Sequence, residues 1–245
     1  MTETITRSGA AGGPSWAKLL LNRTLHFFVY HLFFKPSRRQ TRVVQAGGFE
    51  LLVRPTVFHP KRYRSSEIFA EFVAGLDLAG KHVADVGTGS GILALAAARG
   101  GAAHVIALDI NPNAARSASD NARRNGFGGR LSAVCSDLLA ALAPRPLFDV
   151  IISNPPYFPG EPRDLADRAW AGGPNYRDVE PLFRQVRERL APGGRMYLMV
   201  SSDSNLDLLG EFFRAAGLGH RLVQERGIVI ESMLIFELWA ADAGP

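Results

Sequence analysis

From Lys81 onward the chain alternates apolar, strand-like runs with helix-length segments, and this alternation restricts the fold more than any other feature. The run 82–86 meets a glycine-rich turn, Gly87 to Gly91, then a helix over 92–98 that Gly100 and Gly101 stop. The run 104–109 leads into a helix that Asn111 can cap, with Pro112 at its first position and Gly126 past its end. Strands are expected over 131–135 and 148–153. A helix over 179–190, a Pro192-Gly193-Gly194 turn, a strand over 195–200 and a helix over 206–216 follow. Two strands near 221–225 and 232–238 close the chain. Strand and helix at this spacing predict an α/β fold, a parallel sheet covered on both faces. The last two strands are close enough in sequence to pair antiparallel.

The residues before this pattern are of another kind. Residues 1–15 read as disordered. Over 17–34 an amphipathic helix is expected, with Lys18, Asn22, His26 and Tyr30 as a polar stripe and Leu21, Leu25, Phe28 and Leu32 on an apolar side. Asn22, Arg23, His26 and His31 interrupt it too often for a membrane span. Docking on the domain is the favoured reading. A place in a membrane interface, with Arg38 and Arg39 at headgroups, is the alternative, so peripheral membrane contact through 17–39 stays open. A hairpin follows, 42–45 and 49–53 around Gly47-Gly48, then a basic loop holding Arg54, Lys61, Arg62 and Arg64, then a helix with Ser65 or Ser66 as its N-cap. The organisation expected is an N-terminal extension over 1–60 and one domain over 61–245.

Composition removes several chemistries. A single cysteine, Cys135, excludes an internal disulfide and predicts a reducing, cytoplasmic setting. The six histidines show no metal-ligand spacing, so no metal is expected. Neither a serine-nucleophile elbow nor a phosphate-loop lysine motif is present. A net charge of +5 permits an acidic partner without requiring one.

In an open parallel sheet the ligand sits beyond the carboxyl ends of the strands, so the residues there carry the function. Gly87, Gly89 and Gly91 let the backbone approach a ligand, and the next helix turns its first N–H groups that way. A dinucleotide fingerprint needs a sixth-position glycine, which here is Ile92, so NAD is disfavoured. Asp109 ends the second strand, where a carboxylate can accept both hydroxyls of a ribose. Ser136-Asp137 ends the third, a polar edge suited to an adenine amino group.

The fourth strand ends in Asn154-Pro155-Pro156-Tyr157. Two prolines forbid the strand's continuation and stiffen the corner. The Asn154 side-chain oxygen and the Pro155 carbonyl are then two acceptors fixed in space, able to hold the N–H groups of a planar nitrogen and absorb positive charge as it develops. Tyr157 offers a flat face to a planar group.

The segments VADVGTGSGILALAAA (83–98), ALDINPNA (107–114), CSDLL (135–139) and NPPY (154–157), in this order, resemble the class I S-adenosylmethionine-dependent methyltransferases over about residues 65–240. AWAGGPN (169–175), with VFHP (57–60) and SSEIF (65–69), is similar to the HemK-like release-factor glutamine methyltransferases. That resemblance implies a Rossmann-like sheet of seven strands ending in an antiparallel pair. It implies S-adenosyl-L-methionine as cofactor and S-adenosyl-L-homocysteine as product, with Gly87, Thr88, Gly89 and Gly91 at the methionine part. Asp109 and Ile110 would lie at the ribose, Asp137 and Leu138 at the adenine, and Asp85 would orient the turn and help hold the amino end. Asn154, Pro155 and Tyr157 would carry catalysis, with Asn154 also touching the cofactor. The acceptor implied is a protein glutamine amide. Adenine-N6 methylation of RNA or DNA and methylation of a small molecule are the alternatives. Two departures bear on the acceptor: Tyr176 follows Asn175 where the family often has glycine, and the helical N-terminal domain of bacterial members is replaced by the segment before residue 60.

Overall fold

The first described elements are two short strands, β1 (Arg42–Ala46) and β2 (Phe49–Val53), joined through Gly47 and Gly48. Both glycines have positive φ, as a two-residue hairpin turn of this twist requires. The structure, a computed structural model, describes residues 40–60, 64–228 and 231–243. The helix expected over 17–34 lies outside these residues, as do Lys61 and Arg62.

After the hairpin come α1 (Arg64–Ala74), β3 (His82–Val86), α2 (Ile92–Arg99), β4 (His104–Asp109), α3 (Pro112–Arg124), β5 (Leu131–Cys135) and β6 (Phe148–Ser153). The chain continues through α4 (Glu180–Arg189), β7 (Leu190–Ser201), α5 (Leu206–Ala215), β8 (Leu218–Gly227) and β9 (Ser232–Ala240). The strands from β3 on form one seven-stranded sheet in the order β5-β4-β3-β6-β7-β9-β8. The pairs from β5 to β7 are parallel, and β9 is antiparallel to both β7 and β8. The strand order therefore reverses at β3: β4 and β5 extend to one side, β6 and β7 to the other. A crevice opens at such a reversal, and it opens beside the glycine turn.

Two cores sandwich the sheet. On one face the hairpin, α1, α2 and α3 close over Val83, Val105, Ile152 and Ile235. On the other, α4 and α5 close over Ile151, Leu198 and Phe236 with Phe183 and Phe213. Every residue from Ile92 to Ala98 in α2 is buried, because sheet, hairpin and α1 surround that helix. This explains a run that is apolar all round, where a surface helix would show a stripe. The hairpin contributes Phe49, Leu51 and Val53 to the same core, so it shares the interior of the domain whose start the sequence placed at 61.

Sequence and structure differ at two boundaries. The helix placed after Ser65 or Ser66 begins at Arg64, so both serines lie in its first turn and both are buried. The Pro192-Gly193-Gly194 turn is absorbed into β7, as an irregularity between the pairs Phe148–Leu190 and Val150–Arg195.

The free edge of β2 is satisfied by side chains rather than by a third strand. Asn125 Oδ1 accepts from Glu50 N at 3.2 Å, and its Nδ2 donates to Glu50 O at 2.9 Å. Asn121 does the same with Leu52, at 2.7 and 3.0 Å, and Ser117 Oγ accepts from Arg54 N at 3.3 Å. Four residues of helix advance about 6 Å. Two residues of strand advance about 6.6 Å. The matched spacing lets one helix face stand in for a strand edge. Asn121, fully buried, also donates to Ser90 O at 2.8 Å and so reaches into the glycine turn.

Asn121→Leu keeps the volume and removes three bonds at a sealed site. It should cost about 2–4 kcal/mol and lower the melting temperature by roughly 5–10 °C. Asn125→Ala, at the exposed end of the ladder, should cost well under half as much. Thermal unfolding of the two variants beside the parent checks this; equal losses would deny Asn121 its special place.

Candidate active site

The glycine turn is held from beneath. Asp85, the fourth residue of β3, is fully buried. Its Oδ2 accepts from Thr88 Oγ1 at 2.6 Å and from Ala94 N, in the first turn of α2, at 3.0 Å. Oδ1 is sealed and has no donor. Burial pushes the carboxyl up to about 7, against the lowering effect of its two hydrogen bonds and with a small push from the charge of Asp109.

From the side, β4 straps the same turn. Gly87 N and Thr88 N both donate to Leu108 O at 2.9 Å. Asp109 Oδ2 accepts from Gly89 N at 2.9 Å, and its Oδ1 accepts from Asn111 N at 2.9 Å. Burial raises the Asp109 carboxyl above the ordinary range, opposed by these two bonds. At the end of the turn, a Cβ on Gly91 would stand 2.9 Å from Ala118 Cα, so only glycine lets α3 close on the turn. A Cβ on Gly87 would meet nothing within 4 Å, since it would enter the open crevice.

The crevice is lined by Gly87, Thr88, Gly89, Asp109, Ile110, Asp137, Leu138, Asn154, Pro155 and Tyr157. Those are all the residues that the sequence singled out except Asp85 and Gly91. Asp85 lies below the turn and Gly91 packs against α3, so both shape the crevice without lining it. Leu138 takes a positive φ, unusual for a branched residue, where the backbone turns in along the wall.

The far wall is the corner after β6. Ser153 Oγ donates to Val86 O at 2.8 Å and so ties β6 to β3 just before the corner. Asn154 Oδ1 is sealed from bulk water and has no donor. The corner is clamped from outside by the segment 170–173. Phe158 N donates to Trp170 O at 3.1 Å, Gly172 N to Phe158 O at 3.0 Å, and Phe158 bridges Ala171 as a single parallel pair. A Cβ on Gly172 would stand 2.9 Å from Pro156 O, so glycine permits this contact. Tyr157 lies against Phe158, ring centroids 5.0 Å apart. Its hydroxyl is pushed far up by burial, then by the carboxylates of Glu231 and Asp203, and stays protonated.

Several wall residues lie outside the set to which the sequence assigns a site role. Thr56, Val57 and Phe58 reach the crevice from the loop after β2, and the Phe58 ring meets Trp170 at 4.8 Å. Asn111 Nδ2 secures that loop by donating to Thr56 O at 3.1 Å. Ser65 and Ser66 reach in from the first turn of α1, and Ser65 Oγ is sealed without a partner. The charged run 161–170 reads as a solvated flap, but Ala166 and Asp167 are buried, Asp167 takes Arg163 Nε at 2.6 Å, and Trp170 lines the crevice. Arg54, the first cation of the basic loop, is paired with Asp120.

A family model described as ribosomal protein L11 methyltransferase (PrmA) matches residues 68–155. A ribosomal protein L11 methyltransferase of Edwardsiella ictaluri is 40% identical over 105 residues, 42% of this chain and 35% of the relative, so the chain spans about a third of that protein's length. Human methyltransferase HEMK2 is 34% identical over 155 residues, 59% of this chain and 72% of the relative. A putative protein N5-glutamine methyltransferase of Methanocaldococcus jannaschii is 26% identical over 202 residues, 80% of this chain and 98% of the relative. Among solved structures, a Thermus thermophilus 16S rRNA N2 G1207 methyltransferase in complex with AdoMet and guanosine shares the fold, with a TM-score of 0.60, 22% identity, and coverage of 80% of this chain and 49% of that one.

The raised Asp85 carboxyl gives a pH signature. The folded state keeps this proton up to about pH 7, whereas the unfolded chain releases it near 3.8. The folded state therefore binds more protons in between, and stability falls as pH rises from about 4 to 7, by on the order of 4 kcal/mol at most. Denaturant unfolding of the ligand-free protein should show that the difference between parent and Asp85→Asn grows across this window. A constant difference would mean that Asp85 titrates normally.

Proposed function

Since the chain belongs to the HemK-like class I methyltransferases, enzymes that use S-adenosylmethionine, we propose that it methylates a planar nitrogen, and specifically the side-chain amide of a protein glutamine. The observation that carries this reading is Asn154 Oδ1, a sealed amide oxygen with no donor of its own, on the wall of the crevice beside the glycine turn. A buried acceptor left unpaired costs about 1–3 kcal/mol, which is tolerable where a ligand supplies the donor.

The residues of the crevice fit the cofactor. The open space over Gly87 admits a ligand against the backbone, and over Gly89 only Phe58 Cβ comes within 4.0 Å of where a Cβ would stand. Asp109 has lone pairs left after its two backbone bonds and suits a ribose, and the edge at Asp137 and Leu138 suits adenine. Ser65 Oγ and the first turn of α1 suit an anionic end. When bound, S-adenosylmethionine supplies an electrophilic methyl group. Asp85 acts through the turn: by fixing Thr88 and the start of α2 it holds Gly87–Gly89 in the shape the ligand meets.

An amide nitrogen is a poor nucleophile because its lone pair is conjugated with the carbonyl. Asn154 Oδ1 and the Pro155 carbonyl would each accept one of its N–H groups, which would orient the nitrogen lone pair toward the cofactor and stabilise the charge it gains until one N–H proton leaves to solvent. The clamp on Pro156 and Phe158 keeps those acceptors from swinging away. Tyr157, its hydroxyl protonated, presents a neutral ring to the developing cation. The pairing of Arg54 with Asp120 takes one cation of the basic loop out of phosphate binding, which favours protein over nucleic acid.

The test is methyl transfer from radiolabelled cofactor to purified release factor and to total RNA across a salt series. Label is expected in the protein with a shallow salt dependence; label in RNA as methylated adenine, falling steeply with salt, would install the nucleic-acid reading instead. Asn154→Ala should lower the single-turnover rate by roughly a hundredfold or more while the affinity for S-adenosylhomocysteine changes by only a few-fold. A rate within a few-fold of the parent would contradict the role given to Asn154.

A further inference from the structure

Asp178 holds the second sealed acceptor on the wall of the crevice that belongs to neither the glycine turn nor the corner. It stands two residues before α4 and lines the same crevice as Asn154 and Tyr157. Its Oδ1 accepts from Arg177 Nε at 3.1 Å. Its Oδ2 is sealed from water and has no donor. Its backbone N–H donates to Gly172 O at 2.9 Å, and Gly172 is the residue packed on Pro156 O. The carboxylate lies over Gly173, where a Cβ would stand 3.3 Å from Oδ2. The clamp that fixes the corner thus also carries this carboxylate.

A charged oxygen without a donor is a standing cost, and a carboxylate kept only to shape the loop would spend both its oxygens on the loop. Arg177 satisfies one oxygen from the solvent side. The other is left over, beside Gly173, in a side chain that lines the crevice. We infer that Asp178 is a specificity residue of the acceptor subsite: Oδ2 takes an N–H of the group that enters against Asn154, so the subsite selects an acceptor carrying a further N–H donor over one flanked by oxygen. This rests on N-methylation as the reaction. It narrows the acceptor to an amide or amine in a donor-rich, non-anionic setting, such as a glutamine beside free backbone N–H groups. A phosphate close to the acceptor nitrogen would be repelled by the same oxygen.

The experiment compares parent, Asp178→Asn and Asp178→Ala for acceptor KM, kcat, S-adenosylhomocysteine affinity and melting temperature. The acceptor is purified release factor, or, if the parent enzyme does not label it, whichever of the RNA and small-molecule fractions of a lysate it does label. Loss of a charge-assisted bond to the acceptor should raise KM tenfold or more in both variants. Cofactor-product affinity should stay within twofold, and the melting temperature should hold or rise in Asp178→Asn, where the sealed oxygen that lacks a donor is replaced by an amide. A purely structural Asp178 would instead lower the melting temperature and leave KM alone, and that pattern overturns the inference. Unlabelled release factor defeats the glutamine reading but not this one; an unchanged KM on the labelled acceptor defeats this one whatever the acceptor is.

Discussion

A single buried carboxylate sets the geometry of the whole crevice. Asp85 joins the second residue of the strand-to-helix crossing, Thr88, to the start of α2, so the strand, the turn and the helix form one rigid body. Burying a charge there is costly, and the protein meets the cost by letting the carboxyl hold its proton to a higher pH. Everything that touches the turn inherits its position from this contact. Leu108 and Asp109 bind to it from β4, Ala118 presses on Gly91 from α3, and Asn121 caps Ser90. A turn held from three sides can present bare backbone to a ligand without collapsing into the space the ligand needs.

The hairpin is tied to this body through side chains alone. Asn125 and Asn121 pair with alternate residues of β2 and Ser117 with Arg54 just past its end, and the loop that follows β2 delivers Phe58 to the crevice, where its ring meets Trp170. One wall of the crevice therefore comes from before the sheet begins and the opposite wall from the segment after β6. The sheet positions the glycine turn and the Asn154 corner; the aromatic closure between them depends on two loops far apart in sequence.

Much of this was legible beforehand. The strands, the glycine turn, Asp109 and the corner at Asn154 are written in local patterns: apolar runs, breakers and residues at strand ends. What could not be read is what depends on pairing across the chain. Ser117, Asn121 and Asn125 look like the polar side of a surface helix, because nothing local reveals the strand edge they satisfy. Asp167 looks solvated in a charged run, yet it is buried beneath its exposed partner Arg163. Gly91 reads as one of three equivalent glycines, and only the approach of Ala118 separates its packing role from the open space at Gly87. Asp178 carries no motif at all. The clue available was the Gly172-Gly173 pair just upstream, which signals close approach without naming what approaches. The boundary at residue 60 followed a change in composition, whereas the interior shared by the hairpin and α2 follows from packing.

The lone bridge between Phe158 and Ala171 separates two properties that usually change together in an enzyme loop. It ties off the residues between its two ends, so that their length and composition do not reach the corner. Closing a loop costs only about 0.6 kcal/mol for each doubling of its length. A lineage built on this arrangement could lengthen, shorten or recharge 160–169 and change what it recognises, while the acceptors at Asn154 and Pro155 stay where they are. Diversity of partner and constancy of chemistry would then be two consequences of one pair of hydrogen bonds.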